Sequence, residues 1–208
     1  MPRNTNNPYH HGAHLYEANL RLPLISRIRR DEARVVGGLI ARYADPNARA
    51  LEVGPGTGFY TRELARAFRE VVAVEDSAGM VEILREKLAA EGAANVAVHQ
   101  GDFRELAVDG EFGVAAAIGV LDYIADPKGF VERMCAAARR AVIVTAPQRG
   151  LLGRCFAAGG AMRKTRVYCY DREQVSGWAP GWRCSIAEAG RATRLARPLT
   201  IVAAFERR

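Results

Sequence analysis

No apolar run in these 208 residues approaches the ~20 needed to span a bilayer. The opening Met1-Pro-Arg-Asn-Thr-Asn-Asn-Pro8 lacks the apolar core of an export signal. The expectation is a cytoplasmic protein without a membrane partner. Paired cysteines are missing as well: Cys135, Cys155, Cys169 and Cys184 stand 14 to 20 residues apart, with no C-x-x-C pair or Cys/His cluster at metal-ligand spacing. They read as isolated thiols, and no metal is expected. Internal repeats and low-complexity tracts are absent, and the length fits one domain whose core needs no covalent staples. The net charge of +7 is carried almost wholly by arginine. It permits an anionic partner, but charge alone speaks to solubility and non-specific binding.

What is present is concentrated at Ala50-Leu-Glu-Val-Gly-Pro-Gly-Thr-Gly-Phe-Tyr60. A short apolar run ends in Gly54, Gly56 and Gly58, and a helical pattern follows at once. This predicts a strand feeding a side-chain-poor turn, where a ligand can press against backbone. Glu75 ends the next apolar run, Val71-Val72-Ala73-Val74. In a βαβ unit such a carboxylate sits beside the glycine turn and can accept both hydroxyl hydrogens of a ribose. The dinucleotide pattern G-x-G-x-x-G/A does not fit, because its last small position is Phe59 and Pro55 removes an N–H that a pyrophosphate would use. No Gly-Lys-Ser/Thr follows, so a Walker loop is excluded too.

Along the chain, 1–14 reads as a mobile polar tail. Leu15 to Tyr43 has helical periodicity that Pro23 divides in two, and Asp45-Pro46-Asn47 is a turn. Strands and helices then alternate: Ala48–Val53, helix Phe59–Phe68, Val71–Glu75, helix Ala78–Glu91 closed by Gly92, Asn95–His99, Gly113–Gly119, helix Pro127–Ala138 after the N-cap Asp126, and Ala141–Thr145. The alternation predicts a doubly wound, parallel α/β sheet. Beyond Pro147 the pattern loosens. Asp171 opens a short helix through Val175, Ser185–Ala189 ends at Gly190, and Arg191–Leu195 with Thr200–Phe205 alternate as a terminal antiparallel hairpin would.

At these residues the chain resembles class I S-adenosylmethionine (SAM)-dependent methyltransferases. Leu51-Glu-Val-Gly-Pro-Gly-Thr-Gly58 looks like their first motif, and Val74-Glu-Asp-Ser77 with Met80 like their second-strand acidic motif. Gly101-Asp-Phe103 and Ile118-Gly-Val-Leu-Asp-Tyr-Ile124 look like the motifs after the third and fourth strands. Four motifs in register cover roughly Ala48 to Pro147. The resemblance implies a seven-stranded Rossmann-like sheet, mostly parallel with an antiparallel C-terminal hairpin, plus N-terminal helices. It implies a helical lid over 15–43, a SAM-binding core over 48–147 and substrate-side elements over 148–208.

The resemblance also implies roles, residue by residue. Gly54, Pro55, Gly56, Thr57 and Gly58 border the methionine portion of SAM, with Glu52 near its ammonium group. Glu75 takes the ribose hydroxyls and Asp102 faces the adenine amino group, while Asp76, Met80 and Phe103 flank the ring. Ile118 and Gly119 offer backbone at the sulfonium end. Asp122 and Tyr123 leave strand four where donor and acceptor meet, as a base or an orienting phenol; Asp122 equally suits a loop cap. His14 or Tyr16 could form a lid over the cofactor, although His10, His11 and His14 also fit a solvated polar stretch. Tyr168 and Tyr170 are candidates for the acceptor pocket, beside the basic run Arg163-Lys164-Thr165-Arg166.

Methyl transfer to an O or N atom of a small-molecule acceptor is the expected activity. A nucleic-acid methyltransferase is the alternative, favoured by net charge and Arg27-Ile-Arg-Arg30. It is disfavoured because Leu121-Asp-Tyr replaces the (Asp/Asn)-Pro-Pro-aromatic turn on which a flipped base stacks. A SAM-binding protein without catalysis is the third. Oligomeric state has no signature in the sequence.

Overall fold

The computed structural model describes residues 23–106, 112–150, 167–191, 193 and 196–208. The expectations for His10, His11, His14, Tyr16, Cys155 and Arg163–Arg166 lie outside the described residues. The described chain runs α1 (Pro23–Arg42), β1 (Asp45–Val53), α2 (Thr61–Ala67), β2 (Phe68–Glu75), α3 (Ala78–Glu91), β3 (Val96–Gln100), β4 (Phe112–Ala117), a 3-10 turn (Leu121–Tyr123), α4 (Pro127–Ala137), β5 (Ala138–Pro147), α5 (Arg172–Ser176), β6 (Trp182–Ala189) and β7 (Thr200–Arg207). Pro23 opens α1, where its missing N–H costs nothing.

The seven strands form one sheet in the order β3-β2-β1-β4-β5-β7-β6. The first five run parallel, and β7 lies antiparallel between β5 and β6. Strand order reverses between β1 and β4, and in such sheets the crevice at the carboxyl ends at that reversal is where ligands bind. Both faces of the sheet are covered. Leu51, Val53, Val72, Val74, Val142 and Val144 face α4 through Phe130, Val131 and Met134. Their neighbours Ala50, Val71, Val114 and Ile143 point the other way, to Val36 and Ile40 of α1 and Leu64 of α2. The near-continuous apolar run of β4 follows from burial on both sides.

Local signals set the helix ends. The Ser77 hydroxyl accepts the Met80 N–H at the start of α3, and Gly92 ends that helix with φ 65° in the left-handed region. At α4, the Asp126 carboxylate accepts the Gly129 N–H at 3.0 Å.

Two expectations are corrected. Strand β1 begins at Asp45, so the expected Asp45-Pro46-Asn47 turn is a bulge inside the strand: the Asn47 N–H bonds Asp45 Oδ1 at 2.9 Å, and the register to β2 shifts between Asp45 and Arg49. The partner of β7 is Trp182–Ala189, not Arg191–Leu195. Pairing runs from Trp182 opposite Arg207 to Ala189 opposite Thr200. Trp182, Cys184, Ile186 and Glu188 face inward by turns while Arg183, Ser185 and Ala187 are exposed, which is the one-sided burial of an edge strand.

Candidate functional site

Four strand ends bring the candidates to the crevice. After β1 the chain turns through Gly54, Gly56 and Gly58 with φ of 67°, 56° and 88°, values that L side chains rarely adopt. The Gly54 N–H bonds the Val74 carbonyl at 2.8 Å, tying the turn to β2. The three glycines differ in what surrounds them. A Cβ at Gly54 would meet Val120 Cγ2 at 2.5 Å and one at Gly58 would meet Leu84 Cδ1 at 2.5 Å, whereas one at Gly56 meets nothing within 4 Å. Gly56 therefore faces open space. Pro55 and Thr57 are buried within the turn.

Glu75 lies across the turn. Its Oε2 accepts the Gly56 N–H at 3.0 Å and its Oε1 accepts the Ser77 N–H at 2.9 Å. Burial raises its pKa, while those backbone hydrogen bonds hold the rise back. Glu52, on the neighbouring strand, is 2% exposed. Burial pushes it up to about 7; Thr61 opposes the rise and Glu75 adds to it. The Thr61 hydroxyl falls short of hydrogen-bond geometry, so Glu52 Oε2 and Thr61 Oγ1 are both buried without a hydrogen-bond partner. An orphaned, buried carboxylate oxygen beside an open glycine suits a cationic ligand group.

After β3, Asp102 accepts the Arg104 N–H at 2.8 Å and pairs with the Arg104 guanidinium, Nε to Oδ1 at 2.9 Å. Arg104 holds its pKa below the usual carboxylate range. Asp76 is exposed and Met80 buried. Phe103 does not present a free face. It is 3% exposed, its ring packs edge-on against Phe130 at 5.4 Å, and the Arg133 guanidinium lies over it.

After β4, Ile118 is half-buried against the core, and Gly119 has φ 71° with open space where a Cβ would stand. Its N–H bonds Thr145 Oγ1 at 2.8 Å. Asp122 follows in the 3-10 turn, half-buried, and burial pushes its carboxyl up to about 6. Glu32 adds to that rise and Arg29 opposes it. Tyr123 and Tyr168 are half-buried beside it, with the Tyr168 N–H bonded to the Asp122 carbonyl at 2.8 Å. Tyr170 differs from the expectation. It is 7% exposed, stacks edge-on with Trp178, and its hydroxyl reaches the carbonyls of Leu121 at 3.3 Å and Ile124 at 3.1 Å. It braces the turn that carries Asp122 from inside the core.

Sequence reasoning missed Thr145 and Glu32, and took Arg29 only as part of the basic cluster Arg27-Ile-Arg-Arg30. Thr145 was legible as the one hydroxyl in the apolar run of β5. Glu32 accepts the Tyr60 hydroxyl at 3.1 Å, tying α1 to the residue after the glycine turn. Nothing local marks that pairing, because it depends on where α1 docks. Among the described residues no group of three His, Cys, Asp or Glu side chains is placed to hold a metal. No described helix is long and apolar enough to cross a membrane.

The model of the methyltransferase domain family matches residues 50–142, from β1 through β5. Over that stretch, a little under half of its length, the chain is similar to methyltransferases. Its fold superposes on the magnesium protoporphyrin IX methyltransferase of Synechocystis PCC 6803 with bound SAH, with a TM-score of 0.71 at 18% identity over 88% of this chain and 87% of that one. Among curated proteins, it is 35% identical over 100 residues to the magnesium-protoporphyrin O-methyltransferase of Rhodobacter capsulatus, covering 47% of this chain and 43% of that protein. It is 37% identical over 98 residues to an rRNA adenine N-6-methyltransferase of Saccharopolyspora erythraea, covering 41% of this chain and 25% of that protein. The chain thus spans less than half the length of the curated relatives it matches.

Proposed function

We propose that this chain is a class I methyltransferase that moves a methyl group from S-adenosylmethionine to an O or N atom of a small-molecule acceptor. The observation that carries the reading is the pairing of an open Gly56 with the buried Glu75 carboxylate across the glycine turn. When bound, S-adenosylmethionine supplies a methyl group on a sulfonium, already activated for in-line displacement.

The chain's own task is then to bind, orient and exclude water. Glu75 would accept the ribose hydroxyls on the lone pairs left by its two backbone bonds. Glu52 would take the methionine ammonium, which would relieve its buried, unpartnered oxygen. Gly54, Pro55, Gly56, Thr57 and Gly58 keep side chains away from the methionine portion. Asp102, with Asp76 and Met80, would bound the adenine. The buried ring of Phe103 is committed to Phe130 and serves this wall only by packing behind it. Ile118 and Gly119 would line the sulfonium end with backbone. Asp122, with a pKa of about 6, is mostly ionised at neutral pH and would accept a proton from the acceptor. Tyr123 and Tyr168 flank it.

The likeness to an rRNA adenine N-6-methyltransferase and the exposed Arg27 and Arg30 of α1 favour RNA as the second acceptor class. The Leu121-Asp122-Tyr123 turn argues against it, since its buried leucine offers no stacking platform. Calorimetric titration with S-adenosylmethionine tests the cofactor reading. A tritium-transfer screen over metabolites and bulk RNA tests the acceptor. Label in metabolites alone supports the small-molecule reading, and label in RNA replaces it. Tight cofactor binding with no transfer to either would leave a binding protein without catalysis.

A further inference from the structure

The loop after β3 holds the Asp102 backbone from two sides. Gly101 donates its N–H to the Glu75 carbonyl at 2.9 Å, which ties the loop to the end of β2. Arg133 of α4 donates Nε to the Phe103 carbonyl at 3.1 Å, and its guanidinium also reaches the Leu106 carbonyl. Between these anchors the N–H groups of Glu105 and Leu106 bond the Asp102 carbonyl at 3.0 and 3.2 Å.

Arg104 fixes the side chain in turn. Asp102 Oδ1 accepts the Arg104 backbone N–H at 2.8 Å and Nε at 2.9 Å, while Oδ2 accepts Nε at 3.0 Å and also the Nη2 nitrogen. The Asp76 and Glu105 carboxylates add to the attraction that keeps the guanidinium there. An ionised carboxylate offers about four lone-pair sites. Oδ1 has used its own, and Oδ2 keeps room beside the Arg104 fork for one further donor. The Asp102 side chain retains 22% exposure, so a ligand can reach it. The pairing also keeps the carboxyl ionised, and hence an acceptor only.

We propose that Arg104 is a positioning residue that makes the crevice select a 6-aminopurine over a 6-oxopurine. The inference rests on the cofactor reading above: with a ribose at Glu75, the base extends toward the loop that Gly101 ties to the same strand end. A 6-amino group donates to the remaining Oδ2 lone pair. A 6-oxo group instead turns its own lone pairs toward an ionised carboxylate. The N1–H beside that oxygen would bond a carboxylate free to swing across to it, and the planar Arg104 fork denies Asp102 that swing. Selectivity therefore comes from holding the acceptor still, not from the acceptor alone.

S-adenosylhomocysteine and its 6-oxo counterpart, S-inosylhomocysteine, are the probes, titrated calorimetrically into the full chain. Wild type should favour the amino form at least about tenfold, as one charge-assisted hydrogen bond implies. Arg104→Ala frees the Asp102 side chain and should shrink that ratio to about threefold or less. Arg104→Lys, which keeps the charge but not the planar fork, should shrink it as well. A role in loop stability alone would weaken both probes in proportion; an unchanged ratio in Arg104→Ala overturns the proposal. Tighter S-adenosylhomocysteine binding in that variant overturns it too, since Arg104 would then compete with the base for Asp102. Should the Arg104 variants fail to fold, Asp102→Asn decides. Its amide also donates, so the 6-oxo form should bind at least as tightly as the amino form, and an undiminished amino preference overturns the assignment. Wild type that binds neither probe overturns the cofactor reading and this inference with it, whereas wild type that binds both equally overturns the inference alone.

Discussion

The Gly56 N–H and the Glu75 carboxylate are joined at 3.0 Å, so the glycine turn and the acid of the second strand form one clasp before any ligand is considered. The second Glu75 oxygen holds the Ser77 N–H at 2.9 Å, at the residue that caps α3. One buried carboxylate thus positions both walls of the crevice. A carboxylate oxygen has more lone pairs than one backbone donor uses, so the clasp leaves room for a diol.

Replacing Glu75 with alanine removes two ligand hydrogen bonds of about 1.5–3 kcal/mol each, part of which the variant recovers through water. The expected loss in S-adenosylmethionine binding is about 2–4 kcal/mol, roughly 30- to 1,000-fold in Kd. Calorimetry on a variant shown to be folded checks it, and an unchanged constant removes Glu75 from the cofactor site.

The three turn glycines should separate by phenotype. Gly56→Ala puts a methyl where nothing stands within 4 Å, at φ 56°. Strain of roughly 1–2 kcal/mol leaves a folded protein with at least about tenfold weaker cofactor binding, since the methyl occupies ligand volume. Gly54→Ala and Gly58→Ala instead drive a methyl to 2.5 Å from Val120 and Leu84, adding overpacking of about 1–3 kcal/mol. Thermal melts and titrations on all three decide. Equal melting temperatures across the set would contradict the geometry.

The core of this fold was legible because its local signals agree with its packing. Helix α3 runs over the expected residues, Ala78 to Glu91, with Gly92 as its left-handed end. The apolar runs of β1, β2, β4 and β5 became the parallel sheet. The edge strand β6 was not legible. Its residues include Ser185, Ala187 and Glu188, which have little strand preference, and Gly190 mimics a helix end; only pairing with β7 makes it a strand. In the site, residue types were legible but orientations were not. Tyr170 and Phe103 read as pocket aromatics, and both turn inward, because which face of a chain meets the core is decided by elements far away in sequence.

Tyr170 provides a test of that inward orientation. Tyr170→Phe deletes a hydroxyl shared between the Leu121 and Ile124 carbonyls, at a cost of about 1 kcal/mol. Faster amide exchange confined to residues 121–124 and a shifted Asp122 titration are expected, with cofactor affinity unchanged. A variant that loses acceptor binding with no change in turn exchange would return Tyr170 to the acceptor pocket.

Glu52 and Asp122 set the pH response. Burial raises both, Glu52 from 4.5 to about 7 and Asp122 from 3.8 to about 6. The folded chain therefore binds these protons more tightly than the unfolded one. Their contribution to stability is full below the unfolded values and is lost as pH rises through about 6 to 7. Asp102 works the other way: Arg104 lowers its pKa, so its contribution is present above 3.8 and lost as pH falls through its depressed value. The ligand-free protein should melt at its highest temperature in mild acid, near pH 5, and lose stability toward pH 8. Glu52→Gln should flatten that decline. Cofactor binding should move oppositely, because an ammonium group favours the ionised Glu52. Affinity should rise by up to about tenfold per pH unit below 7 and level off above it, and Glu52→Gln should abolish the rise. Melting curves and calorimetry from about pH 5.5 to 8 measure both trends. Wild-type affinity that stays flat across that range would show that the ammonium group does not meet Glu52.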